Sequence, residues 1–287
     1  MESLKTTITA LVTPFKNNTV DLVSLKKLVQ FQIERGVGGF VINGTTGESP
    51  TLEWSEVSEI FKQVREWVGP KVPLIIGTGT NSTKTTLDLS QKAARLGADA
   101  LLVVVPYYNK PPQRGLVSHF QSIADNVMVP LILYNVPSRT ITALNLESIV
   151  TLSKHKNIIG IKEASGNIEL AKNISENCGR DFLLLSGDDG TYPEFLEAGG
   201  HGVISVASHI IPDVFAELLK NKSQDKNFKS YLRLINLLFA EANPIPVKKA
   251  LQLMGIIESA SLRLPLCELE EHLTRDLALE LEKMELM

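Results

Sequence analysis

Short apolar, β-branched runs recur along the chain, and each is followed by a stretch with apolar residues at helical spacing. The runs are Ile8–Val12, Gly39–Ile42, Leu74–Gly77, Ala100–Val104, Leu131–Tyr134, Ile158–Lys162, Leu183–Ser186 and Gly202–Val206. Apolar on both alternating faces, they read as strands of a parallel sheet covered by helices on each side. Between them, Leu22–Arg35, Ser55–Val68 and Ser82–Leu96 carry apolar residues at i, i+3 and i+4, the stripe of an amphipathic helix. The repeat of roughly 20–35 residues matches one strand plus its crossover helix. Eight such units predict an α/β fold, a TIM (β/α)8 barrel, because eight strands close into a ring. A doubly wound open sheet is the rival that repeat counting leaves open.

After about residue 222 the strand pattern stops. Lys226–Ala240, Pro246–Leu253 and Glu268–Lys283 read as helices, the last with Leu269, Leu273, Leu277 and Leu281 along one face. The expected organisation is a (β/α)8 catalytic barrel over 1–222 and a small C-terminal helical appendage over 223–287 packed on it. No Pro/Gly/Ser linker separates the two.

The chain has 287 residues, 44% of them hydrophobic, enough for a large core. A formal charge of −3 and the interleaving of acidic and basic residues argue against a nucleic-acid partner. Met1-Glu2-Ser3-Leu4-Lys5 lacks the head of a signal peptide, and Leu101–Val105 is too short to cross a bilayer. A cytoplasmic protein with no membrane partner is therefore expected. Cys178 and Cys267 show no CxxC spacing and read as idle thiols, and the five histidines are singletons, so no metal site is expected.

In such barrels chemistry sits where strands end and βα loops begin. Lys162 ends the run Ile158-Ile159-Gly160-Ile161. A barrel interior disfavours the charged form of an ammonium, and a lysine kept partly neutral attacks carbonyls to form an imine. The plain alternative is a lysine that snorkels outward or pairs with Glu163. Gly44-Thr45-Thr46-Gly47-Glu48, after the second run, offers glycines for a tight turn and hydroxyls and N–H groups for a small carboxylate, or is simply a turn. Tyr134 can relay protons, or merely pack; Arg139 can fork onto a carboxylate, or lie in a surface loop. Tyr107 and Tyr108 in the loop after the fourth run suggest an interface or a substrate wall. Gly187-Asp188-Asp189-Gly190 reads as a turn that lets backbone approach the site.

These residues taken in order, Gly44-Thr45-Thr46-Gly47-Glu48, then Tyr134-Asn135-Val136-Pro137 with Arg139 and Thr140, then Gly160-Ile161-Lys162-Glu163-Ala164, resemble the dihydrodipicolinate synthase/N-acetylneuraminate lyase family. The similarity runs from Thr9-Ala10-Leu11-Val12-Thr13-Pro14-Phe15 to Ala242-Asn243-Pro244-Ile245-Pro246-Val247-Lys248. Three ordered motifs in matching strand context are specific where any one alone is weak. Two consecutive threonines, the tyrosine pair and an arginine five residues after Tyr134 resemble the branch that condenses pyruvate with L-aspartate-4-semialdehyde in lysine biosynthesis.

The resemblance implies that Lys162 forms the imine with pyruvate and that Thr45 and Thr46 hold the pyruvate carboxylate. It implies that Thr46 passes protons to Tyr134, and that Tyr108 completes the relay from a neighbouring subunit of a homotetramer. Arg139 would clamp the semialdehyde carboxylate, and main chain around Gly187 and Ile204 would line the pocket. No cofactor or metal is implied, since the imine itself is the electron sink. Trp54, Val57 and Thr85 stand where lysine-inhibited members carry a histidine pair and a glutamate, which implies weak or absent inhibition by lysine. The nearest alternative is another pyruvate aldolase of the family, acting on N-acetylneuraminate, a 2-keto-3-deoxy-sugar acid or 4-hydroxy-2-oxoglutarate. Outside that class stand a catalytically silent keto-acid sensor and a sugar-phosphate barrel; the latter lacks a basic residue beside the glycines near 187–202.

Overall fold

Eight apolar strands alternate with helices, and hydrogen bonding carries the sheet round to its own first strand. The computed structural model describes residues 2–221 and 227–287. The strands are β1 (Thr7–Ala10), β2 (Gly39–Ile42), β3 (Leu74–Gly77), β4 (Ala100–Val104), β5 (Leu131–Asn135), β6 (Ile158–Glu163), β7 (Leu183–Ser186) and β8 (Gly202–Ser205). Each pairs in parallel with its sequence neighbours, and β1 pairs with both β2 and β8. That closure excludes the open sheet.

The outer ring is α1 (Leu22–Glu34), α2 (Trp54–Val68), α3 (Thr83–Leu96), α4 (Gln113–Asp125), α5 (Leu146–Ser153), α6 (Ile168–Asn177), α7 (Tyr192–Glu197) and α8 (Pro212–Lys220). Their starts follow the chemistry of orphan N–H groups: Asp21, Ser82, Asn145 and Asn167 each accept from the first turn of α1, α3, α5 and α6. A hairpin of Phe15–Lys16 with Thr19–Val20, absent from the sequence expectation, stands on Asn17 and Asn18, both with φ near +60°.

Period-two alternation divides the strand side chains into two cores. Ile8, Ala10, Val41, Ile75, Leu102, Ile132, Tyr134, Leu185 and Ile204 fill the barrel interior, whereas Phe40, Ile42, Leu101, Val103, Leu131, Leu133 and Ile161 face the helices. Two strands stop earlier than their apolar runs. Val12 N–H is taken by His209 Nε2 (3.1 Å) and Val206 N–H by Asp189 Oδ2 (3.0 Å), so neither continues a ladder.

Three further helices follow: α9 (Leu232–Leu238), α10 (Ile245–Leu253) and α11 (Glu271–Lys283). The boundary at 222/223 and Lys226 lie outside the described residues. α9 begins later than expected because Phe228–Tyr231 forms a 3₁₀ turn, and Leu269 is buried just ahead of α11 instead of within it. Leu234, Leu238, Leu251, Leu277 and Leu281 join the same cluster as the helix-facing barrel residues. Both cysteines are free thiols, and no described helix is long and apolar enough to cross a membrane.

His209 couples this core to pH. It is fully buried; Nε2 accepts from Val12 N–H, so Nδ1 carries the proton it donates to Val206 O (2.8 Å), and burial pushes its pKa down to about 4. Unfolded, the ring titrates near 6.5, so between these values the unfolded chain binds the extra proton and stability falls as pH falls. The loss should reach about 3 kcal/mol by pH 4, because each tenfold difference in proton affinity between the two states is worth about 1.4 kcal/mol. Chemical denaturation of wild type and His209→Gln from pH 7 to 4 checks this; equal pH slopes for the two proteins would refute it.

Candidate active site

The inward period of β6 decides where its lysine goes. Gly160 and Lys162 face the barrel axis and Glu163 faces the helices, so the two charged neighbours lie on opposite sides of the strand. Glu163 is held there by Asn135 Nδ2 (2.7 Å) and the Ser165 N–H (2.7 Å), while burial pushes its carboxyl above the ordinary carboxylate range. The Lys162–Glu163 pairing alternative is thereby removed. Lys162 itself is only 6% exposed, and among the described residues no carboxylate ion-pairs with it. Its register partner on β5 is Tyr134, and Nζ stands 4.4 Å from the centroid of that phenol ring.

Both groups open into a cavity of about 300 Å³ at the strand ends, large enough for two small acids. Thr45 and Thr46 enter it from the turn after β2, which is closed by Gly47 N–H to Gly44 O (3.0 Å) and Glu48 N–H to Thr45 O (3.1 Å). Arg139 reaches it from a single helical turn, Pro137–Thr140, placed directly after β5. Gly187 supplies a wall with no side chain: a Cβ there would lie 2.7 Å from Lys162 Cε and 2.6 Å from Ala164 Cβ. Only glycine leaves the lysine its position.

Two expected residues stand elsewhere. Ile204 is packed in the inward core and does not line the cavity; Val206, two residues along the chain, does. Tyr108 is 86% exposed at φ 73° and touches neither Thr46 nor Tyr134 within this chain, whereas Tyr107 lines a smaller cavity of about 150 Å³ that shares Thr45 and Tyr134 with the first. Nor do Thr46 and Tyr134 hydrogen-bond each other among the described residues. The partner of Thr46 Oγ1 is Asn243 Nδ2, at 2.9 Å.

Asp188 and Asp189, which the sequence offered only as part of a backbone turn, make specific contacts, and further cavity residues had no local signal. Asp188 caps Thr191 (N and Oγ1 both 3.0 Å from Oδ1), and Asp189 binds the N–H groups of Val206 and Ala207. Burial pushes Asp189 up to about 6. The Gly187–Gly190 turn is therefore a tether between β7 and β8 as well as a close approach of backbone. The C-terminal segment adds Ile235, Asn236, Phe239 and Asn243 as the far wall, and Arg139 Nη2 donates to Asn243 O at 3.3 Å. The Asn-Pro pair within 242–248 was visible in the sequence, but nothing local announced that it meets Thr46.

The arrangement offers one buried amine, a phenol against it, hydroxyls and a glycine wall for a small carboxylate, and a guanidinium at the rim. That is the apparatus for capturing a short keto acid as an imine and presenting a second acid to it.

Known proteins share this organisation. The profile of the Dihydrodipicolinate synthetase family matches residues 3–284. The chain is 58% identical to 4-hydroxy-tetrahydrodipicolinate synthase of Bdellovibrio bacteriovorus, with 99% of each chain covered. Among solved structures it resembles dihydrodipicolinate synthase of Thermotoga maritima (TM-score 0.95, 40% identity, covering 98% of this chain and 99% of that one). It also resembles the chloride-inhibited dihydrodipicolinate synthase of Acinetobacter baumannii complexed with pyruvate (TM-score 0.94, 40% identity, 98% and 99% covered).

Proposed function

The chain belongs to the dihydrodipicolinate synthetase family, and from that premise we propose that it condenses pyruvate with L-aspartate-4-semialdehyde to 4-hydroxy-tetrahydrodipicolinate, in lysine and diaminopimelate biosynthesis. The observation that carries the reading is Lys162: a buried amine at the end of β6, stacked over Tyr134, in a cavity that also holds Arg139.

Lys162 Nζ attacks the pyruvate ketone, whose oxygen leaves as water to give an imine; the imine acidifies the methyl group, which loses a proton and adds to the aldehyde carbon, and the amino group of the adduct then attacks the imine carbon, displacing Lys162 Nζ and closing the ring. Thr45 and Thr46 hold the pyruvate carboxylate beside Gly187. Tyr134 moves protons at the imine, and Arg139 clamps the carboxylate of the second substrate. Tyr108, exposed in one chain, completes the proton path in the site of a neighbouring subunit, within a homotetramer. No cofactor enters this scheme. The enzyme works in the cytoplasm.

Weak feedback by lysine fits the same chain: Val57 is packed in the core, and Trp54 and Thr85 present neither imidazole nor carboxylate. Turnover should change little at millimolar lysine, and strong inhibition there would overturn the point.

Steady-state assay with pyruvate and aspartate semialdehyde tests the activity against cleavage of N-acetylneuraminate, 2-keto-3-deoxy-sugar acids and 4-hydroxy-2-oxoglutarate. The condensation should have the highest kcat/KM. A far higher value for release of pyruvate from one of the other acids would assign the chain to that aldolase class.

A further inference from the structure

Arg139 is exposed and stands on a loop, so the backbone beneath it decides where its guanidinium can reach. That loop leaves β5 at Asn135 and comes back to the same residue: Leu144 N–H, nine positions along, donates to Asn135 Oδ1 (3.0 Å). The other amide atom is fixed as well. Asn135 Nδ2 donates to Glu163 Oε2 (2.7 Å), and Glu163 Oε1 in turn accepts from Ser165 N–H (2.7 Å). A main-chain N–H donates and a carboxylate accepts, so a single orientation of the amide satisfies both neighbours. Asn135 and Glu163 are register partners on the rung directly after Tyr134 and Lys162, and both are buried.

The loop does not owe this shape to local preference. Ile141, which ends the turn Pro137–Thr140, has φ 62° and an exposed side chain. A β-branched residue is disfavoured in the left-handed region, so the turn has to be held from outside. Gln113 of α4 secures the outgoing end through Ala143 O (2.7 Å), whereas among the described residues Asn135 is what ties that end to the strand bearing Tyr134. We propose that Asn135 is a positioning residue for the second half of the reaction: its amide closes the neck of the loop that carries Arg139, and so sets where the guanidinium meets the carboxylate of the second substrate. This rests on the role assigned above to Arg139 and adds to it the element that keeps Arg139 in place.

The strand period explains why the neck is tied at this rung. Side chains alternate between the two faces of a strand, so Asn135 and Glu163 turn outward where Tyr134 and Lys162 turn inward. Neither Asn135 nor Glu163 lines the cavity. The closing bond therefore stands behind the sheet, clear of the substrates, while the two strands that carry the phenol and the amine also fix the loop above them.

A double-mutant cycle on the intact enzyme tests this. Asn135→Ala should lower kcat/KM for aspartate semialdehyde about tenfold, the loss expected when a hydrogen bond that places a binding group is removed. In an Arg139→Ala background the same substitution should change kcat/KM by less than about twofold, because no guanidinium is left to misplace. Damage to the fold at large would weaken both backgrounds alike. A second comparison exchanges the two polar groups. Asn135→Asp alone sets two carboxylates against each other and should lower kcat/KM. Combined with Glu163→Gln, it gains an amide that donates to its carboxylate, which still accepts from Leu144 N–H, and kcat/KM should return to within about threefold of wild type. This pair of variants carries the test even if Asn135→Ala does not fold. Equal losses in the two backgrounds, unchanged kinetics in Asn135→Ala, or an exchange variant no better than Asn135→Asp would each overturn the proposal. Unaltered kinetics of Arg139→Ala toward aspartate semialdehyde would instead overturn the role assigned to Arg139, and the proposal with it.

Discussion

Lys162→Ala is expected to lower kcat/KM by at least about 10⁴-fold, the scale on which removing a covalent nucleophile acts. Among the cavity-lining residues Lys162 is the only primary amine; Arg139 carries a guanidinium instead, which does not condense with a keto acid to a stable imine. Borohydride added with pyruvate should place one reduced adduct on the peptide containing Lys162 in wild type and none in the variant. Lys162→Arg serves as the control for charge alone, since it keeps a cation at the end of β6 and removes only the capacity to condense. More than about a hundredth of wild-type turnover in Lys162→Arg would show that the amine is not the nucleophile. Fold loss is not the expected cause, because the side chain makes no ion pair among the described residues and the space it leaves opens to the cavity.

The second large effect concerns stability. Lys248 and Glu48 are both fully buried, with Nζ 2.7 Å from Oε1. Nζ also donates to Thr13 O (2.9 Å), and Arg263 N–H donates to Glu48 Oε2 (3.0 Å). Burial pushes Lys248 down to about 8 in spite of Glu48, so the carboxylate does not fully make up for the hydration the ammonium gave up. Such a pair adds little as a whole, yet removing one member strands the other, at a cost of roughly 3–5 kcal/mol. Glu48→Gln should therefore lower Tm by on the order of 10 °C, at about 2–4 °C per kcal/mol for a chain of this size. Glu48→Gln combined with Lys248→Met should recover most of that. A single variant melting within about 2 °C of wild type, or a double variant no better than the single, would show that the pair is not acting as a unit. Because Glu48 ends the turn bearing Thr45 and Thr46, the single variant should also raise KM for pyruvate.

The difference between what could be read along the chain and what could not follows the range of each signal. The strands β2, β3, β4 and β7 fall where their apolar runs fall, because a strand buried on both faces leaves a short continuous apolar run between turn residues. Lys162 was legible for the same reason: a charge directly after such a run has few structural explanations. The ends of β1 and β8 were not, since Val12 and Val206 are apolar but give their N–H groups to His209 and Asp189, residues that reach them across the fold. The hairpin at Phe15–Val20 had a local cue in Asn17-Asn18, a pair that tolerates the left-handed backbone of a tight turn. Glu48 and Lys248 look like ordinary surface charges in the sequence, and only the folded chain puts them together.

The bond between Thr46 and Asn243 joins positions 197 residues apart. Synthesis proceeds from the N-terminus, so a growing chain displays Lys162, Tyr134 and the threonine turn well before the strap that steadies them has been made. A chain cut short before α9 would lack Ile235, Asn236, Phe239 and Asn243, the far wall of the cavity. The order of translation thus completes the cavity only with the segment that follows the barrel.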